Sequence, residues 1–70
     1  MKIREELKSN GGYITADNME SFMEEFGSDF PVVVKRYEGH RLCVAADEVK
    51  DLDQSNIREV FINAEEYDNL

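Results

Sequence analysis

Apolar residues recur along this chain with two different periods, and the change of period separates a helical first part from an extended middle. In TADNMESFMEEFG, Met19, Phe22, Met23 and Phe26 stand at i, i+3, i+4 and i+7. That is one apolar stripe at helical spacing. It predicts a helix capped by Thr15 or Asp17 and closed by Gly27. With Thr15 as the cap, Ile14 and Met19 take the two positions of a hydrophobic staple. Asp17 then falls in the first turn, where the helix dipole favours an anion. All four stripe residues are assigned to the core rather than to a ligand groove. Upstream, residues 2–9, KIREELKS, place Ile3 and Leu7 on one face of a shorter helix. Asn10-Gly11-Gly12 supplies its stop, because glycine enters the left-handed region without a Cβ clash.

Phe30-Pro31 ends the helical pattern. Val32-Val33-Val34 is β-branched and reads as a strand, with Leu42-Cys43-Val44-Ala45-Ala46 as its partner. A three-residue loop, Tyr37-Glu38-Gly39, pairs Arg36 with His40, Val34 with Leu42 and Val32 with Val44. Alternation then sends Val32, Val34, Leu42, Val44 and Ala46 to the core side. A slip of one residue would mix the two faces. The outer face carries Val33, Tyr37 and Ala45, with Lys35 opposite Arg41. Cys43 is read as a small buried apolar residue, and His40 as an exposed residue of the turn.

Residues 47–53 form a polar connection with room for one helical turn. The segment NIREVFINAEEYDNL fits two templates. Ile57, Val60, Phe61, Ala64 and Tyr67 match a helix stripe, whereas Ile57, Val60, Phe61 and Ile62 are strand formers and Asn63 is awkward inside a helix. A hairpin alone is marginal and three strands backed by helices are not, which favours a third strand over residues 57–62. The expected fold is therefore α+β: two N-terminal helices packed on a three-stranded antiparallel sheet, with a C-terminal helix as the alternative for the last segment. Seventy residues make one domain, 1–70.

Composition narrows the function classes. The single cysteine, Cys43, permits no internal disulfide, so a reducing, cytoplasmic compartment is expected. The start, MKIREELKSN, lacks the apolar run of a signal peptide, and no apolar stretch approaches the roughly 18 residues of a membrane span. Sixteen acids against eight Lys and Arg give a net charge of −8. Binding nucleic acid requires cations that displace condensed counterions, so direct binding is not expected. Anionic membrane surfaces are disfavoured for the same reason.

Catalytic and metal motifs are weak. Asp51-Leu-Asp53-Gln-Ser55 begins like a calcium loop, but Asn56 stands where the sharp turn wants glycine and Ile62 where the bidentate glutamate belongs. A polar turn is the better reading. His40 and Cys43 lie on opposite strand faces and lack two further zinc ligands. Adjacent carboxylates such as Glu24-Glu25 do not converge on one atom. No enzyme activity, cofactor or metal is expected.

The charge map carries more. Residues 16–30 hold Asp17, Glu20, Glu24, Glu25 and Asp29 without a base, and Asp47, Glu48, Asp51 and Asp53 follow the hairpin. The hairpin tip concentrates Lys35, Arg36 and Arg41. Like charges at helical spacing cost a few tenths of a kcal/mol per pair, so stability alone does not favour them. One expectation is a small acidic inhibitor or regulator. Its nine carboxylates would dock on a basic, nucleic-acid-binding surface of another protein, with Lys35, Arg36 and Arg41 orienting the dock. In size and charge it resembles small phage and mobile-element proteins that antagonise restriction or CRISPR machinery; no motif carries that analogy. The alternative is a non-catalytic assembly subunit that forms a homodimer through Val33, Tyr37, Cys43 and Ala45. The oligomeric expectation is accordingly a monomer or a homodimer.

Overall fold

The computed structural model of the chain describes residues 2–69. Along the chain they form α1 (Lys2–Ser9), β1 (Tyr13–Ile14), α2 (Ala16–Phe26), β2 (Pro31–Tyr37) and β3 (His40–Ala45). A 3₁₀ helix (Ala46–Asp51) and a 3₁₀ turn (Gln54–Asn56) lead to β4 (Glu59–Ile62) and the short α3 (Ala64–Asp68). The class is α+β, with helices packed against an antiparallel sheet. The sheet has four strands rather than the expected three, in the order β1-β4-β2-β3.

The additional strand, β1, is two residues long, too short to show any alternation. It forms because its neighbours hold it in place. The Tyr13 amide donates to Asn10 Oδ1 at 3.0 Å, and Asn10 Nδ2 donates back to the Tyr13 carbonyl at 3.2 Å. Tyr13 pairs with Phe61 and Ile14 with Val60, and the Ile62 amide reaches the Gly12 carbonyl at 2.9 Å. The strand expected over 57–62 is present as β4 but starts at Glu59, because the Ile57 amide closes the preceding 3₁₀ turn on the Gln54 carbonyl.

α2 begins as its cap predicts. The Asn18 amide donates to Thr15 Oγ1 at 3.3 Å, and the Thr15 amide donates to Asn18 Oδ1 at 2.7 Å. This reciprocal pair removes two orphan amide donors from the helix start. It also gives the buried Asn18 side chain a partner, so its burial carries no unmet polar atom. At the other end Gly27, with φ of 103°, donates its amide to the Met23 carbonyl.

The core lies between the helices and one sheet face. Phe22, Val32 and Val34 are fully buried, with Leu7, Ile14 and Ala46 each 2 % exposed. Burying a side chain of the Val or Phe kind stabilises by about 1.5–3 kcal/mol. Phe22, Phe26 and Phe30 form an aromatic cluster with centroids 4.7–5.8 Å apart. Arg4 fastens α1 to α2: its Nε donates to Glu25 Oε1 at 2.8 Å while its guanidinium lies 4.6 Å over the Phe26 ring.

The hairpin corrects the sequence reading. Val34 pairs with Leu42 and Val32 with Val44, as expected, but Tyr37 pairs with His40. The loop is therefore two residues, Glu38-Gly39, rather than Tyr37-Glu38-Gly39, and Arg36 does not face His40. Glu38 and Gly39 have φ of 50° and 86°, the two positive values that a type I′ turn requires. The surplus residue sits in a bulge: Lys35 and Arg36 together oppose Arg41, and Arg36 takes φ of 60°. Lys35 is therefore not set simply opposite Arg41; its register partner on the other side is Glu59. The bulge also reverses alternation, so Tyr37 does not join Val33 outside. Tyr37 packs against the core, and its hydroxyl accepts from the Asp53 amide at 3.0 Å.

Among the described residues no second layer covers the opposite sheet face. Tyr13, Phe61, Val33 and Cys43 run straight across the four strands. Tyr13 and Phe61 meet edge to face with centroids 5.2 Å apart, and Lys35 Nζ lies 4.4 Å over the Phe61 ring. Cys43 is exposed, not buried, because this face has no second layer; Asn63 Nδ2 donates weakly to its sulfur at 3.5 Å. Among the described residues no helix is long and apolar enough to cross a membrane.

Candidate functional site

Three of the acids expected to bind a partner lie on one side of α2. Asp17, Glu20 and Glu24 are all exposed and follow the helical repeat away from the buried Phe22. Their last turn carries no base. Glu25 does not belong with them: it is committed to Arg4 at 2.8 Å and only 16 % of its side chain is exposed. Asp29 is exposed in the loop after α2, and the 3₁₀ helix joins it there. The Asp47 amide donates to the Ser28 carbonyl at 2.9 Å, which brings the start of that helix beside the loop. Glu48 and Asp51 are exposed on the same 3₁₀ helix.

Asp53 serves the chain itself. Its carboxylate accepts from the Ser55 hydroxyl at 2.7 Å, the Ser55 amide at 3.1 Å and Asn56 Nδ2 at 3.0 Å. The Ser55 hydroxyl and amide hold it below its ordinary value of 3.8. This is the polar turn expected for the Asp51–Ser55 segment. Among the described residues no group of three or more His, Cys, Asp and Glu could hold a metal ion.

The basic tip is gathered as the sequence suggests. Lys35, Arg36, His40 and Arg41 line one shallow depression of about 320 Å³ around Gly39. Arg36 makes a loose, exposed contact with Glu59 at 3.7 Å, an arrangement worth little in water. Among the described residues the ion pairs number two, Arg4–Glu25 and Arg36–Glu59. The α2 carboxylates Asp17, Glu20 and Glu24 enter neither.

One feature escaped the sequence reading. The α2 stripe is not all core: Phe22 is buried, whereas Met19 and Met23 are half-buried and line an open groove of about 500 Å³. Ile14, Val49, Ile57 and Val60 form much of the remaining apolar lining, with Asp47, Lys50 and Arg58 among the polar residues. The available signal was chemical. The stripe alternates Met with Phe, and flexible thioethers suit adaptable surfaces as well as cores.

Comparison with known proteins finds no matching family model, no matching curated protein and no matching solved structure.

Proposed function

We propose that this chain is a non-catalytic binding protein whose carboxylate face docks on a cationic surface of a partner protein. The observation that carries the reading is the exposure, on one side of α2, of Asp17, Glu20 and Glu24, which enter no ion pair among the described residues, with Asp29 in the loop after α2 and Asp47 beside that loop. Carboxylates so arranged complement Lys and Arg and accelerate association by steering. A cationic surface that ordinarily holds phosphates is a natural counterpart, which makes the chain an inhibitor or regulator of nucleic-acid binding. An anti-restriction or anti-CRISPR role is the narrower form of the same proposal. Lys35, Arg36 and Arg41 give the molecule a positive end that fixes orientation.

The test begins with capture of a basic protein on the immobilised chain and elution by a salt gradient. The purified partner is then titrated with wild type and with Glu20→Lys/Glu24→Lys at several salt concentrations. The expected result is weaker binding by the variant, a strong salt dependence for wild type, and displacement of nucleic acid from the partner. Equal affinity with a flat salt dependence refutes the reading.

A second reading rests on the uncovered row of Tyr13, Phe61, Val33 and Cys43, which suits packing against another copy of the chain. Tyr37 drops out of that surface and Ala45 remains half-buried beside it. A salt-insensitive dimer in sedimentation equilibrium supports this reading; a monomer at high concentration counts against it.

A further inference from the structure

The bulge in β2 gathers charge in a way that plain alternation would not. Val34 and Tyr37 both pack into the core, so Lys35 and Arg36 fall together on the outer side, where both oppose Arg41. Arg36 holds φ of 60°, a left-handed conformation that a residue other than glycine adopts at a cost. Like charges set against each other across a hairpin add to that cost. Of the three cations, Arg36 alone enters an ion pair among the described residues, and its contact with Glu59 is exposed and 3.7 Å long. Strain and repulsion are thus concentrated at one point of the chain, and a bound anion relieves the second of them.

Lys35, Arg36, His40 and Arg41 line the depression of about 320 Å³ around Gly39, and no acid belongs to its lining. A second depression, of about 410 Å³, adjoins it through Lys35 and Arg41, which line both. Val33, Phe61 and Asn63 form part of the second wall. Lys35 Nζ, 4.4 Å over the Phe61 ring, stands where the two meet. Guanidinium and ammonium groups make charge-assisted hydrogen bonds to phosphate oxygens, and an aromatic side chain packs against a flat base. We infer that the outer side of the β2–β3 hairpin binds a single nucleotide, with its phosphate among Lys35, Arg36 and Arg41 and its base against Phe61 and Val33. Three cations suit one or two phosphoryl groups. A long strand is disfavoured, because the net charge of −8 repels further phosphates. This site goes beyond an orienting role for the basic tip and does not depend on the α2 carboxylates.

The probes are adenosine diphosphate, pyrophosphate and adenosine, each titrated at low salt into the isotope-labelled chain without any partner. The diphosphate nucleotide is expected to bind about tenfold more tightly than either fragment and to shift the amide resonances of Lys35, Arg36, Arg41 and Phe61. Arg36→Gln/Arg41→Gln should weaken it about tenfold or more. Phe61→Leu should bring its affinity down to that of pyrophosphate. The resonance shifts in the wild-type chain do not depend on either variant folding. Equal binding of the nucleotide and pyrophosphate, shifts that leave Phe61 unmoved, or undiminished binding by the arginine variant each overturn the site. Tighter binding of a short single-stranded oligonucleotide than of the nucleotide also overturns it, since the ligand would then be a strand. None of these outcomes touches the docking of the carboxylate face, which is read with the partner present.

Discussion

Of the four glycines, Gly12 has the least room for a side chain. It holds φ of 88°, and a Cβ there would stand 2.8 Å from Ile62 Cγ2. Its carbonyl also accepts the Ile62 amide. Gly12→Ala therefore combines left-handed strain with a clash against a β-branched side chain. It is expected to lower the free energy of unfolding by about 2–3 kcal/mol. Gly11→Ala, at φ of 77° with open space around it, should lower it by only about 1 kcal/mol. Urea unfolding of the two variants checks the ranking; equal losses would mean that Ile62 yields. Asn-Gly-Gly was legible in the sequence as a stop after α1. The approach of Ile62 was not, because it joins residues fifty positions apart. Tyr37 shows the same limit on a shorter scale. Alternation counts residues, and the bulge at Lys35-Arg36 inserts one without any glycine to announce it.

Among the elements, α1 and α2 were the most legible, since their signals are local: apolar spacing, a cap and a closing glycine. The Thr15–Asn18 exchange makes a definite prediction. Thr15→Ala removes the oxygen that accepts the Asn18 amide and should cost about 1 kcal/mol. Thr15→Ser, which keeps that oxygen, should stay close to wild type in the same thermal or urea melt. A full loss in the serine variant would mean that the methyl group, not the hydrogen bond, matters there. The hairpin was legible in its lower half, where Val32 and Val34 must share the core side. It was misread at the tip, where exposed charged residues impose no burial pattern. β1 was illegible because two residues carry no period and its pairing is dictated by β4. The groove stayed hidden for a related reason. A stripe at helical period says which side is apolar, but not how much of that side the 3₁₀ helix leaves open.

At the scale of the whole molecule, charge dominates. The chain carries −8, and the two ion pairs among the described residues offset little of it. Self-repulsion of the folded state is therefore expected to exceed its attraction, and salt to screen the difference. Raising NaCl from about 0.02 M to about 0.2 M, which shortens the screening length several-fold, is expected to raise the urea midpoint. A falling midpoint would show that attractive pairs outweigh repulsion. The segregation of acids along α2 was legible as sequence. The withdrawal of Glu25 into Arg4, and of Asp53 into its own turn, was not, because each depends on partners placed by tertiary or turn geometry.

The order β1-β4-β2-β3 places the strand that comes latest along the chain in the interior of the sheet. In chain order α1, α2 and the β2–β3 hairpin all precede β4. Without β4 in place β1 has no strand to pair with, and the β2 edge that β4 occupies stands open. Such an edge invites foreign strands, so any state in which β4 is undocked exposes β2 to them.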